Sequence, residues 1–335
     1  MIEKIAIFVL AVFLFAVYVP AEAQQPKKIP RIGYLVASSV AGSASRLTAL
    51  RQGLRDLGYV EGKNVILEIR SADGNRERGV ALAEELVRLQ VEVIVSGGSA
   101  ATRPLKQATK TIPIVMAQDD DPVGNGFVAS LARPGGNITG LSNLGADLSG
   151  KRLELLKEIA PRISRVAVMT NKTVVSNPQA LKETELAAQA LRLKLQQIDV
   201  PSADEIEPAF RAANKGRAEA IVIMIGGPIL NSHGSQIREL AVKNRLPAMY
   251  ARSNDVEAGG LASYNPNTDE LFRRAATYVD KILKGAKPAD LPVEQPTKFE
   301  FIINLKAAKQ IGLTIPPNVL VRAEKVIKES AGINR

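Results

Sequence analysis

The sequence contains no cysteine, no tryptophan, a single histidine and only 4% aromatic residues. Without cysteine there is no disulfide, no cysteine-ligated zinc and no lipid-modified cysteine at a processed N-terminus, so stability has to come from packing. One histidine, His233 in the stretch ILNSHG, is too few for a histidine zinc site, and it reads as a loop residue at the surface. No Gly-x-Ser-x-Gly elbow occurs, and no serine has a histidine base nearby in the sequence except through His233. The scarcity of aromatic rings argues against an oligosaccharide site, where sugars stack on aromatic faces.

The chain opens with Lys4 and an unbroken apolar run from Ile5 to Val19, followed by Pro20 and the small-residue signal Ala21-Glu22-Ala23. That run is shorter than the roughly 20 residues that cross a bilayer, and its polar exit has the form of a cleavage site. Residues 1–23 are therefore expected to be a cleaved secretory signal peptide, leaving a soluble exported chain. A soluble exported chain without an anchor is retained where a second membrane encloses it, which points to the periplasm. Cleavage would remove one lysine and two glutamates, taking the net charge from +10 to +11. The basic residues are scattered over helical faces such as RLTALRQGLRDLG and KRLELLKEIAPRISR, with no arginine-rich block and no aromatic platform. No nucleic-acid partner is expected from this pattern, although the field could help capture anionic ligands.

About 310 mature residues exceed the usual size of one core, so two domains are expected. Short β-branched runs alternate with amphipathic stretches: RIGYLVA, NVILEIRSA and VEVIVSG are each followed by a helical segment, then come IPIVMAQ, a glycine-rich segment with a short helix, and NITGLS. The rhythm restarts after Gly145 with RVAVMTN, LKLQQIDV, AEAIVIMIGG and LPAMYA. Serial βα units imply parallel sheets covered by helices on both faces, hence an α/β fold. GGLASYN with its helix, then FEFIINL and a last helix around Asn318 to Glu329, complete the chain.

Ligands of open α/β sheets collect beyond the carboxyl ends of the strands, where helix N-termini offer unpaired amides. Ser38 and Ser39 follow the first strand, and Gly98 with Ser99 follows VEVIV, Ser99 being placed as a helix N-cap that would suit a carboxylate. Each also fits an ordinary cap with no ligand. The loop after IPIVM carries Asp119, Asp120 and Asp121. A calcium loop is excluded, because counting from Asp119 puts Val123 at the fifth position and Ser130 at the twelfth. Gly124, Gly126 and Ala129 fit a relaxed dinucleotide fingerprint, but Gln118 to Val123 separate them from the strand they should follow at once. No metal and no cofactor are expected, and no enzyme motif is present.

Several longer segments carry a resemblance over nearly the whole mature chain: RIGYL, QGLRDLGYVEGKNV, DPVGNGFVASLARPGGNITGLS, KRLELLKEIAP, RLPAMYARSNDVEAGGLASYNPN and YVDKILKGAKPADLPVEQPTKFEFIINLKAAKQIGLTIPP, in that order. Together they resemble the ABC transporter substrate-binding protein family that includes tryptophan and tyrosine binders. The resemblance implies the type I periplasmic-binding-protein fold: two doubly wound parallel-sheet lobes joined by a three-crossing hinge and closing on a ligand between them. The crossings are expected near Leu144 to Asp147, Glu257 to Gly260 and Pro288 to Pro296. Lobe one would hold residues 30–144 and 258–290, and lobe two residues 145–257 and 291–335.

The same resemblance implies a receptor without catalytic turnover that delivers its ligand to an ABC permease with its cytoplasmic ATPase; the chain is expected to be monomeric, and the alternative reading is an exported sensor that presents its ligand to a membrane receptor. Asp121 falls on the family's Asp-Pro-Val-Gly segment and is a candidate for receiving an amine or hydroxyl, or else for capping its turn. The second lobe is expected to contribute Asn171, Gly226, Gly227, Tyr250, whose ring could lie against a ligand or in the core, and Arg252 and Asp255. The loop around Arg252, Ser253 and Asp255 departs from the family pattern, which leaves the ligand at the level of an amino acid, short peptide or small carboxylate.

Overall fold

The computed structural model describes residues 29–172 and 177–328, so the expected leader at 1–23 lies outside the described residues. Among the described residues no helix is long and apolar enough to cross a membrane.

Five strands form the first sheet: β1 (Arg31–Val36), β2 (Ile66–Ser71), β3 (Val93–Ser96), β4 (Ile114–Met116) and β5 (Ile138–Gly140). They run parallel in the order β2-β1-β3-β4-β5. Residues Ile32 to Val36 are all buried, which requires a helix layer on each face. On one face Ile32, Tyr34 and Val95 pack against α1 (Ala44–Asp56) and Phe272, Ala276 and Val279 of a later helix. On the other, Leu35, Ile94 and Ile114 meet Leu86 of α2 (Arg76–Arg88) and Leu105 of α3 (Ser99–Ala108).

The second sheet has seven strands: β6 (Arg165–Thr170), β7 (Lys194–Asp199), β8 (Ala220–Met224), β9 (Ala248–Tyr250), β10 (Ala262–Pro266), β11 (Phe299–Asn304) and β12 (Lys325–Ile327). Its order is β12-β11-β10-β9-β8-β6-β7. The part β7-β6-β8-β9-β10 repeats the winding of the first sheet without a repeated sequence. All its pairs are parallel except β10 with β11. Its helices are α4 (Leu148–Ile159), α5 (Asn177–Ala190), α6 (Ile206–Lys215), α7 (Gly227–Lys243), α8 (Ser253–Glu257), α10 (Leu305–Gln310) and α11 (Pro317–Leu320). Only α9 (Thr268–Leu283) returns to the first lobe, where it lies along α1.

Two doubly wound α/β units joined by three crossings are thus present, but the crossings move from the expected positions. GGLASYN was assigned to lobe one; β10 instead pairs with β9 and β11, so the strand belongs to lobe two and the chain crosses only at Pro266 to Thr268. The reason is that a strand's residue pattern tells which of its faces are covered but does not name the sheet whose edge its backbone joins. Residues 291–294, assigned to lobe two, stay with lobe one: Glu294 N donates to the Gly140 carbonyl at 2.9 Å, and Val293 is buried beside Ile138. The last helix also shortens to α11, because residues 325–327 extend and pair with β11. The short helix expected after β4 is a run of turns.

Close approach of α1 and α9 depends on Gly53, where a Cβ would stand 2.3 Å from the Arg273 carbonyl oxygen. Gly53→Ala is expected to force the two helices apart at a cost of about 1–3 kcal/mol. Urea unfolding checks this, and an alanine variant as stable as the parent would mean that the helices part freely.

Candidate functional site

Both sheets turn their carboxyl ends toward the crossings, so the loops after β1, β3 and β4 face those after β6, β8 and β9. The switch points of the two windings lie between β1 and β3 and between β6 and β8, where diverging helices leave a crevice.

After β1, Ser38 is buried and its carbonyl accepts the Ser71 hydroxyl at 2.7 Å. Ser39 is exposed, and its Oγ accepts the Gly42 amide at 3.1 Å, holding the turn into α1. After β3, the N-cap of α3 is Gly98, with φ of 135°, rather than Ser99 as expected. Glycine adopts that conformation at little steric cost. Ser99 is the first helical residue, and its hydroxyl stands near Asp119.

The three aspartates after β4 differ in every respect. Asp119 is 1% exposed; its Oδ1 accepts the Asp121 amide at 3.0 Å and the Asn125 side chain at 2.9 Å. Its carbonyl accepts Asn143 N at 2.9 Å and Ser142 Oγ at 3.1 Å, which ties β4 to the first crossing. Oδ2 is buried without a hydrogen bond among the described residues. Burial, with the charge of Asp120 added, pushes the Asp119 carboxyl up to about 7 despite the opposing pull of Ser99, Asn125 and the Asp121 amide. Asp120 lies against Gly145, where a Cβ would be 2.4 Å from its Oδ1, and its charge acts on Arg152 of the second lobe. Asp121 caps its turn: Oδ1 accepts the Gly124 amide at 2.8 Å.

Arg152 is 6% exposed and donates to the carbonyls of Gly145 and Tyr264, both at 2.8 Å. Burial pulls its guanidinium down to about 10, and the charges of Asp120 and Tyr264 oppose that fall. Burial and then the charges of Asp121 and Glu183 raise the Asp147 carboxyl, which places Asp121 of the first lobe near Asp147 at the first crossing and Glu183 on α5.

In the second lobe Asn171 is buried directly after β6, and Gly226, with φ of 82°, precedes α7, which Gly227 opens. Tyr250 is placed in the core: it is 1% exposed, clusters with Ile237, Leu246 and Val256, and borders a cavity of about 10 Å³ beside Gly260 and Ala307. Its ring fills the space behind β9 and is not offered to a ligand. Arg252 and Asp255 hold each other, with Nε to Oδ2 at 2.8 Å and Nη2 to Oδ1 at 3.0 Å, while Arg238 Nη1 stands 3.5 Å from the same carboxylate. His233, expected in a loop, lies at a kink inside α7.

Arg46, Asp147, Arg152 and Glu183 border this region without having been singled out in the sequence. Arg46 had a readable signal: it stands in the first turn of α1, where the helix dipole disfavours a cation.

Asp119→Asn is expected to remove a pH dependence. A carboxyl whose folded affinity for a proton exceeds its unfolded affinity stabilises the fold at low pH. That contribution falls between about pH 4 and 7 by up to about 1.4 kcal/mol per unit. Urea unfolding of parent and variant at pH 5 and 8 checks the difference, and an unchanged slope in the variant would assign the titration elsewhere. Arg152→Lys should lose about 1.5–3 kcal/mol, because one ammonium cannot reproduce the planar fork that serves two carbonyls. Equal stability of this variant would show that the fork is dispensable.

Comparison with known proteins agrees with this architecture. A conserved domain protein from Vibrio cholerae superposes with a TM-score of 0.84 at 29% identity, covering 89% of this chain and 100% of that one. A Streptococcus pneumoniae ABC domain solved in complex with L-Trp gives 0.82 at 27% identity, covering 89% and 99%. A tyrosine-binding protein from Clostridioides difficile is 25% identical over 263 residues, which cover 78% of this chain and 75% of that relative. The fold is that of type I periplasmic binding proteins. The family described as ABC transporter substrate binding protein matches residues 36–327, most of the chain, and the chain belongs to that family.

Proposed function

We propose that the protein is the solute-capturing component of an ABC importer, taking a small amino acid or carboxylate into the crevice between its lobes. The observation that supports this best is the convergence of polar groups from two separate sheets: Ser39, Ser99 and Asp121 from one side, and Asn171, the Gly226 turn and Arg252 from the other. A ligand bridging both sets gains its full contacts only when the lobes close, so binding shifts the population toward the closed form. The complexes and names of the relatives put aromatic amino acids first among the candidates. In this reading the exported chain works in the periplasm as a monomer, and a membrane permease coupled to a cytoplasmic ATPase receives the closed, loaded form. It binds and releases its ligand without turnover.

The test is thermal unfolding of the mature chain, refolded from denaturant to strip bound ligand, against amino acids, short peptides, small carboxylates and sugars. A true ligand at about 100 times its dissociation constant stabilises the native state by roughly 2.7 kcal/mol. A selective rise of several degrees is the expected result. A native, refolded protein that ignores every amino acid and carboxylate would overturn the proposed ligand class.

A further inference from the structure

Helices α4, α5, α6 and α7 all end at the amino edge of the second sheet, the pole of that lobe which faces away from the crevice. There the chain turns into β6, β7, β8 and β9, which lie side by side in the order β7-β6-β8-β9. Arg162 and Arg165 lead into β6, and Arg192 and Lys194 into β7. Lys215 and Arg217 precede β8, while Lys243 and Arg245 precede β9. Scattered along the sequence, these cations are gathered by the sheet order, since adjacent strands lie about 4.8 Å apart. All but Arg165 are exposed, and those exposed form no ion pair among the described residues. The acids nearby are engaged elsewhere. Glu219, the acidic residue of these turns, accepts from the amides of Ser164 and Arg165 and from the Ser164 hydroxyl. Glu158 is paired with Arg322, and Glu257 with Lys325.

A cation near a helix C-terminus is ordinary, because the helix dipole favours it. The first lobe has the same helix ends, however, and a different charge pattern. Near its amino edge Arg31 lies 3.5 Å from Glu68, Arg51 2.8 Å from Glu61 and Arg88 3.8 Å from Glu84. Backbone conformation separates the lobes as well. Arg192, Arg217 and Arg245 each occupy a left-handed turn, with φ of 56°, 56° and 53°, a position that favours glycine or asparagine. The corresponding residue before β3 is the uncharged Gln90, with φ of 50°. The dipole explains a cation beside a helix end; it does not explain three arginines in a disfavoured turn on one lobe alone.

We propose that this pole is an electrostatic docking surface for a bilayer carrying anionic phospholipid headgroups. Clustered lysines and arginines gain from a surface of many negative headgroups, because each side chain finds its own phosphate without a fixed geometry. Long cations spread over four turns fit that partner, whereas a compact anion would engage only one or two of them. A protein standing on this pole keeps its crevice on the side away from the bilayer, open to ligand, and stays close to the membrane as it diffuses. The proposal goes beyond solute capture and does not depend on which ligand the crevice takes.

The experiment is co-sedimentation of the mature chain with vesicles of equimolar phosphatidylglycerol and phosphatidylcholine, and with vesicles of phosphatidylcholine alone. At about 0.1 M salt the anionic vesicles are expected to bind at least about 10-fold more tightly than the neutral ones, with release at about 1 M, where screening acts within about 3 Å. Combining Arg192→Gln, Arg217→Gln and Arg245→Gln is expected to weaken binding by at least about 10-fold. Glutamine already occupies the equivalent turn at Gln90, so this variant should fold. A second variant, Lys194→Gln with Lys215→Gln and Lys243→Gln, touches none of the left-handed turns and is expected to weaken binding likewise. The control, Lys63→Gln with Arg76→Gln and Lys110→Gln, removes as many exposed charges from the first lobe and is expected to stay within about 3-fold of the parent. A parent indifferent to anionic lipid, or bound equally at high salt, would overturn the proposal. So would pole variants that bind like the parent, or a control that loses as much as they do.

Discussion

The relation between the two lobes depends on the burial of one guanidinium. Arg152 projects from α4 in the second lobe and donates to the carbonyl of Gly145, on the first crossing, and to that of Tyr264, in the strand that leads into the second. A buried charge is costly unless its donors are satisfied. Here two carbonyls accept from it, and the carboxylate of Asp120 approaches from the first lobe. The third crossing is fastened differently, through the paired backbone of Leu141 and Glu294. One side-chain fork and one isolated backbone bridge therefore fasten the chain passages between the lobes.

The loop after β4 shows how a run of identical residues separates into different roles through position alone. Asp119 points inward and organises its own loop and the first crossing through four hydrogen bonds shared between its carboxylate and its carbonyl, with the Asp121 amide, Asn125, Asn143 and Ser142 as the donors. Asp120 leans over Gly145 toward Arg152, and Asp121 closes its own turn on Gly124. Every second side chain of extended backbone faces the same way, and the turn that follows breaks the alternation. Three adjacent carboxylates can thus share one loop because burial, a cation and a turn separate their environments.

The two lobes reach the same winding from unlike sequences, and in each the carboxyl ends of the strands supply loops while the cores lie behind. Tyr250 illustrates the division. It ends a strand whose next loop carries Arg252, yet its ring turns into the core behind β9. Arg252 and Asp255, a turn further on, pair with each other at the crevice side. The difference between a core tyrosine and a boundary arginine here is two residues of chain.

Much was legible in the sequence because it is carried by local periodicity. Alternating β-branched runs and amphipathic stretches dictate serial βα units, parallel sheets and loops at the carboxyl ends of strands, and the order of the longer segments identifies the family. Capping by Asp121 was also readable, since an aspartate before Pro-Val-Gly meets the amide three residues on. What the sequence could not decide is which sheet receives a strand: GGLASYN has the same pattern at the edge of either lobe, and only the antiparallel partner β11 settles its place. Nor could it show that Asp120 of the first lobe would lie over Gly145, whose carbonyl Arg152 of the second lobe holds, because the two side chains are brought together by a chain crossing and the Coulomb interaction between them depends on distance in space. Periodicity is a property of neighbours along the chain, and the proposed site is made of neighbours across it.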